Sequence, residues 1–68
     1  MANGTSLSAR ELEVLKLIAT GRSNTQIASE LFLSVGTVKT HAHSIATKLG
    51  TANRVETVAV ARDLGLLE

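Results

Sequence analysis

The apolar residues of this 68-residue chain recur at intervals of three and four positions rather than in strict alternation. That spacing is typical of amphipathic α-helices and not of half-buried strands. Proline is absent, and residues that start or stop helices interrupt the pattern at four places. The pattern therefore predicts an all-α, compact four-helix domain, with helices at about residues 8–20, 24–31, 35–49 and 54–64.

Short polar residues stand before each predicted helix and supply the side-chain oxygens that cap helix N-termini. These caps are Ser8, Ser23, Ser34 and Asn53. All of them except Ser34 are followed three residues later by Glu or Gln, which is the spacing of a capping box. Glycines that permit a left-handed end follow the first, third and fourth helices, at Gly21, Gly50 and Gly65. The connections are then short, and short connections pack successive helices against one another.

Length and composition limit the class of protein. A chain of 68 residues suffices for one small domain. It contains no cysteine, which excludes a disulfide framework or a thiolate metal site here and suits a reducing cytoplasm. No apolar run approaches the roughly 18–20 residues that a membrane span needs. We expect residues 1–6 to be a flexible lead-in, residues 7–68 to form one domain, and the protein to be cytoplasmic with no membrane partner.

The small net charge of +1 is distributed unevenly along the chain. No acidic residue occurs between Leu31 and Val55. The basic and imidazole side chains of this acid-free stretch are Lys39, His41, His43, Lys48 and Arg54. A segment that gathers cationic and hydrogen-bonding side chains while excluding carboxylates favours a polyanionic partner, and nucleic acid is the simplest polyanion.

The third predicted helix has two dissimilar faces at about 100° of rotation per residue. Its apolar face consists of Val38, Ala42, Ile45 and Leu49. The opposite side, which we call the outward face, consists of Gly36, Lys39, Thr40, His43 and Thr47. Side chains of these types reach base edges in the major groove, although an ordinary solvated helix face is also compatible with the pattern.

Catalysis and metal binding have no support in the sequence. His41 and His43 lie about 200° apart on a helix, so they cannot hold one metal ion together. There is no Gly-rich phosphate loop, no nucleophile beside a plausible base, and Glu11 and Glu13 are interpreted as acids on a solvated helix. We expect no enzymatic activity, no metal and no cofactor.

Several separate segments resemble, in order and spacing, the helix-turn-helix output domain shared by LuxR-type quorum regulators, FixJ/NarL-type response regulators and the small GerE-like regulators. The matching segments are LSARELEVL at 7–15, GRSNTQIA at 21–28, LFLS at 31–34, TVKTH at 37–41, IATKLG at 45–50 and NR at 53–54. The similarity covers about residues 7–67, which makes it far more specific than a single short motif.

The resemblance implies that the second and third helices form the helix-turn-helix and that the third enters the major groove. It implies base contacts from Lys39, Thr40 and His43, and therefore sequence-specific binding of double-stranded DNA by a bacterial transcription regulator. Two positions depart from the family pattern. Many relatives have a long polar or charged side chain in place of Gly36, and a basic one in place of His43, so a relative's sequence preference does not carry over.

Contacts to the DNA backbone are expected where donors gather at helix N-termini and where cations flank the groove. The residues expected to make them are Asn24, Thr25, Gly36, Thr37, Lys48 and Arg54. For Lys48 and Arg54, an ion pair with Glu11 or Glu13 inside the domain is an equally good alternative.

The fourth predicted helix carries two apolar stripes. One consists of Val55, Val58 and Ala59, and the other of Val60, Ala61 and Leu64. Either a small bundle buries both, or one is left for a partner. Because the fourth helix commonly supplies the dimer contact in this family, the resemblance favours a homodimer. The interface residues are then Val55, Val58, Ala59 and Arg62, and the operator is an inverted repeat with half-sites roughly 10 bp apart.

Two other functions remain open at this stage. A sigma-factor-like promoter-binding domain uses a similar helix-turn-helix, and RNA polymerase is a possible partner in either case. A small helical protein-interaction adaptor would instead use the basic face to bind an acidic protein.

Overall fold

The computed structural model describes residues 7–67 as four helices: α1 (Ala9–Ala19), α2 (Asn24–Leu31), α3 (Val35–Leu49) and α4 (Arg54–Asp63). The all-α prediction is confirmed, and the predicted bounds agree to within one residue at each helix end. The predicted lead-in at residues 1–6 lies outside the described residues. None of the described helices combines the length and apolar content needed to span a membrane.

The predicted N-caps form through local hydrogen bonds. The Ser8 hydroxyl accepts from the Glu11 backbone N–H at 3.1 Å, and the Glu11 carboxylate accepts from the Ser8 N–H at 2.9 Å. Ser23 forms the equivalent box at the start of α2. At α4 the Asn53 side chain caps the helix, but the carboxylate of the following Glu56 accepts from Ala52 instead. Each such cap stabilises its helix by about 1 kcal/mol.

Helices α1 and α3 each pack against all three other helices, and α3 makes the more extensive contacts. The core is entirely aliphatic and consists of Val14, Leu15, Ile18, Ile27, Ala28, Val38, Ile45 and Ala61. On α3, Val38 and Ile45 are fully buried, whereas Ala42 and Leu49 of the same predicted apolar face are only half-buried. A domain of this size has too few residues to bury a whole helix face. The packing fixes one side of α3 and leaves the other open.

The turn between α2 and α3 occupies residues 32–34 and begins with an unusual backbone conformation. Phe32 ends α2 in the left-handed conformation, at φ 58° and ψ 43°, and its backbone N–H donates to the Ala28 carbonyl. A left-handed non-glycine residue costs about 1–2 kcal/mol. Its side chain, the only aromatic one in the chain, is 95% exposed. Nothing in the sequence singled out Phe32, and the described contacts give it no packing role.

Candidate nucleic-acid interface

The outward face of α3 is open to solvent along its whole length. All five of its residues, from Gly36 to Thr47, are exposed, whereas Val38 and Ile45 on the opposite side have no exposed area. The helical wheel drawn from the sequence therefore describes the orientation of α3 correctly. The surface is convex and continuous over about three turns, since a helix rises 5.4 Å per turn, which suits insertion into a groove.

The N-terminus of α3 presents bare backbone. The Ser34 hydroxyl accepts from the Thr37 N–H at 3.0 Å and shares a 2.8 Å hydrogen bond with the Thr37 hydroxyl. A Cβ added at Gly36 would meet only the Ser34 hydroxyl oxygen, at 3.9 Å. No acidic residue lies in this first turn. The partial positive charge of the helix N-terminus is therefore accessible to an anion.

Arg54 joins the start of α4 to the start of α2. Its Nη1 donates to the Asn24 Oδ1 at 2.8 Å, and its Nη2 donates to the Arg22 carbonyl at 2.9 Å. The alternative of an ion pair with Glu11 or Glu13 is therefore wrong for Arg54. Because the Asn24 oxygen is occupied as an acceptor, its amide N–H groups remain as donors for another partner. The neighbouring Thr25 is exposed.

His43 lies close to this Arg54 junction. The two side chains line one cavity of about 190 Å³ between α3 and α4, whose lining is Ile18, Ala42, His43, Ala46, Asn53, Arg54 and Thr57. The structure therefore brings a predicted base-contact residue beside predicted backbone-contact residues from α2 and α4. These residues come from three helices and are far apart in sequence.

Glu11 is the residue whose burial was predicted wrongly from the sequence. It was expected on a solvated face, but it is 6% exposed. Its Oε1 accepts from the Lys48 ammonium at 2.8 Å, and its Oε2 accepts from the Ser44 hydroxyl at 2.7 Å. These bonds, from Lys48 first and then Ser44 and the Ser8 N–H, lower the pKa of Glu11 from 4.5 to about 2 against the opposing effect of burial.

The burial of Glu11 has a physical reason in the packing of α3 against α1. The third position of α1 faces back toward the cap, and the C-terminal half of α3 packs over it. Ser44 and Lys48 stand four residues apart on the flank of α3, so one carboxylate can bind both. The predicted internal ion pair for Lys48 therefore forms, and whether Lys48 also contacts DNA remains a prediction.

In the part of the chain that the structure describes, ion pairs neutralise some of the positively charged side chains and leave others without a nearby carboxylate. Among residues 7–67, three cations lie within ion-pair distance of a carboxylate: Arg10 with Glu13 at 3.4 Å, Arg22 with Glu30 at 2.5 Å, and Lys48 with Glu11 at 2.8 Å. Within residues 7–67, neither Lys39 nor Arg54 has a carboxylate at that distance. These two side chains therefore carry the uncompensated charge of the acid-free stretch.

Helix α4 turns one apolar stripe outward. Val55 is 82% exposed, and Ala59 and Arg62 on the same face are also exposed, whereas Val58 is half-buried. Val55 and Val58 line a shallow apolar groove of about 320 Å³ together with part of α1. Of the second stripe, Ala61 is buried in the core. Val60 of the second stripe is half-buried and Leu64 is exposed, so only Ala61 packs fully inward, while Val55 and Ala59 of the first stripe remain uncovered in the isolated chain.

A short helix, a three-residue turn and a longer helix with one face buried and the other open define a helix-turn-helix domain. Residues 5–61 match the family described as bacterial regulatory proteins, luxR family. The chain belongs to this family, and its four helices are the family's helix-turn-helix DNA-binding domain. The resemblance recognised in the sequence is confirmed.

Individual relatives agree with this assignment. The chain is 52% identical over 62 residues to the oxygen regulatory protein NreC of Staphylococcus aureus strain JH9, covering 91% of this chain and 29% of NreC. Among solved structures, the response regulator ChrA of a heme-sensing two-component system has a TM-score of 0.88 and 47% identity, covering 91% of this chain and 31% of ChrA.

Two further structures are similar at 31% identity and a TM-score of 0.86. The transcription factor GerE is covered over 92% of its chain. A Vibrio cholera VqmA–ligand–DNA complex is covered over 27% of the VqmA chain. This chain thus spans nearly the whole length of GerE, but less than a third of the length of NreC, ChrA or VqmA.

Proposed function

We propose that this domain binds double-stranded DNA in a sequence-specific manner with α3 inserted in the major groove. The observation that carries the proposal is the outward face of α3, which is exposed at all five of its positions and has no carboxylate. Lys39 on this face and Arg54 beside it have no carboxylate partner within residues 7–67. The VqmA–DNA complex among the similar structures supports the same choice of ligand.

Base contacts are assigned to Lys39, Thr40 and His43. All three are exposed on the outward face, where an inserted helix meets the base edges. The lysine ammonium donates to guanine O6 or N7, and the threonine offers a hydroxyl or a methyl group. The imidazole of His43 donates to a base acceptor or a phosphate. These contacts would supply the sequence preference.

Backbone contacts are assigned to the N-termini of α2 and α3 and to the flanking cations. The residues are Asn24, Thr25, Gly36, Thr37, Lys48 and Arg54. Arg54 donates a hydrogen bond to the Asn24 side-chain oxygen, so the Asn24 amide N–H groups are left to donate to a phosphate. Lys48 would contribute while remaining bound to Glu11. Such contacts orient the domain on the duplex without selecting a sequence.

A longer regulator is the proposed context. Because this chain corresponds to 29% of NreC and 31% of ChrA, we propose that it is the DNA-binding part of a response regulator acting in the bacterial cytoplasm, with RNA polymerase as a further partner. The domain itself is proposed to bind without catalysing a reaction.

The test of DNA binding is a fluorescence-anisotropy titration with a labelled mixed-sequence duplex. Neutralising two phosphates per domain would make affinity fall about ten-fold between about 50 and about 200 mM salt. Lys16→Ala is the control, because this exposed lysine lies on α1 outside the proposed interface. A flat salt response would contradict the electrostatic contact. Absence of binding to any duplex would favour the protein-interaction adaptor, and binding only together with core polymerase would favour the sigma-like domain.

We further propose a homodimer through Val55, Val58, Ala59 and Arg62 of α4, on an inverted repeat. The exposed valine and the adjoining apolar groove support this proposal. Val55→Lys should yield monomers in sedimentation equilibrium at concentrations where the parent dimerises, because the lysine charge would be desolvated in the contact. It should also lower affinity for a two-half-site operator while leaving half-site affinity unchanged.

The control for the dimer is Leu64→Lys, because Leu64 is exposed at the C-cap of α4 but lies outside the proposed contact. This variant should dimerise like the parent. A parent domain that remains monomeric both free and on an inverted repeat would contradict the proposal.

A further inference from the structure

The hydroxyl of Thr40 is engaged within its own helix. Its Oγ1 donates to the Gly36 carbonyl at 3.1 Å, one turn earlier. A threonine hydroxyl has a single hydrogen to donate, so this bond uses its donor capacity. Thr40 is exposed, and its outward-facing group is therefore not a hydroxyl donor.

The second substituent on the Thr40 Cβ is a methyl group, which occupies a different staggered position from the hydroxyl. Helical side chains lie over the turn on their N-terminal side. For Thr40 that turn contains Gly36, which has no side chain and has open space around it except for the Ser34 hydroxyl oxygen at 3.9 Å. The open space at Gly36 thus lies one turn before Thr40 on the outward face.

This methyl group lies between polar neighbours. Lys39 and His43 supply hydrogen-bond donors on the same face, so Thr40 is the apolar point among them. In the major groove, thymine alone carries a methyl group, at C5. Contact between two methyl groups removes apolar surface from water without leaving a polar atom unpaired.

We propose that Thr40 recognises a thymine through its methyl group, and that Gly36 leaves the space in which the thymine 5-methyl sits. This inference rests on the proposed insertion of α3 in the major groove and specifies what one of its residues selects. The alternative is that the hydroxyl oxygen accepts from adenine N6 or cytosine N4, for which it still has a lone pair.

The experiment begins with selection of the preferred operator from a library of randomised duplexes. Each thymine of that operator is then replaced singly by deoxyuridine, which removes only the 5-methyl group. One thymine in each half-site should lose about four-fold in affinity on replacement, the effect of burying roughly one methyl-sized group. Thr40→Val should keep this sensitivity, whereas Thr40→Ser should bind both duplexes equally. Gly36→Ala should reduce the sensitivity by filling the gap.

The possible outcomes separate this inference from the proposed function. An enriched operator in which no deoxyuridine replacement matters overturns the methyl contact and leaves sequence-specific binding intact. Loss of discrimination in Thr40→Val but not in Thr40→Ser assigns recognition to the hydroxyl and also overturns it. A library from which no sequence is enriched overturns specific binding, and the thymine contact with it.

Discussion

Glu11→Ala is expected to lower the free energy of unfolding by about 2–4 kcal/mol. The substitution removes the carboxylate that accepts from Lys48, Ser44 and the Ser8 N–H, and it takes a negative charge away from the partly buried lysine ammonium. The estimate is below that for a fully buried pair because the Lys48 side chain is 34% exposed. Urea denaturation followed by far-UV circular dichroism measures the change.

The effect is large relative to the size of the domain. A core of this size rarely supplies more than about 3–5 kcal/mol, so the variant should be extensively unfolded near physiological temperature. Glu13→Ala is the matched control, because Glu13 lies on the exposed side of α1 and its pair with Arg10 is 3.4 Å long. This control should change stability by less than about 0.5 kcal/mol. Equal effects of the two substitutions would show that the Glu11 contacts contribute little.

The same carboxylate should make stability dependent on pH in acid. The pKa of Glu11 is about 2 in the folded domain and 4.5 ordinarily, so the unfolded chain takes up the proton first as the pH falls. The stabilisation is therefore complete above pH 4.5 and is lost between about pH 4.5 and 2. The Glu11→Ala variant lacks this titration, and its stability should fall less over that interval. Parallel pH profiles for parent and variant would contradict the assignment.

Lys39→Ala should lower affinity for the selected operator by about 1–3 kcal/mol, or roughly 5- to 150-fold, and relax preference at one position in each half-site. Lys39 is exposed on the outward face and has no carboxylate partner within residues 7–67. Its ammonium group is therefore available for guanine O6 or N7. Anisotropy titrations with the operator, with each single-base variant of it and with random duplex measure both effects.

Folding should be unchanged in this variant, because an exposed lysine contributes little to stability. A denaturation curve like that of the parent would show that the loss arises at the interface. Lys16→Ala, on α1, should bind the operator like the parent. Equal losses on operator and random duplex would instead assign Lys39 to a phosphate contact.

The helices and their bounds could be predicted because their determinants are local. Ser23 and Gln26 bond across three residues to start α2, and Gly50 adopts a φ of 70° to end α3. The face of α3 that is buried follows from the periodicity of Val38 and Ile45. None of these features requires knowledge of a distant part of the chain.

The partners of charged residues could not be predicted in the same way. Periodicity placed Glu11 on α1 but gave no indication that α3 would cover it. Glu11 and Glu13 were predicted as possible ion-pair partners for both Lys48 and Arg54. Lys48 pairs with Glu11, whereas Arg54 donates to Asn24 and to a backbone carbonyl. The exposed, left-handed Phe32 likewise had no signal in its composition or spacing.

By itself, the sequence determined that this protein is a four-helix member of the luxR family with one carboxylate-free helix face. It could do so because each helix cap, each stretch of apolar periodicity and each family motif involves only residues that are close together in the chain. Only the tertiary structure decided how the charges are shared. Glu11 meets Ser44 and Lys48 across 33 and 37 residues, and Arg54 meets Asn24 and Arg22 across 30 and 32. Such contacts depend on how whole helices pack, and that packing determined which cations lie beside a carboxylate and which have none within residues 7–67.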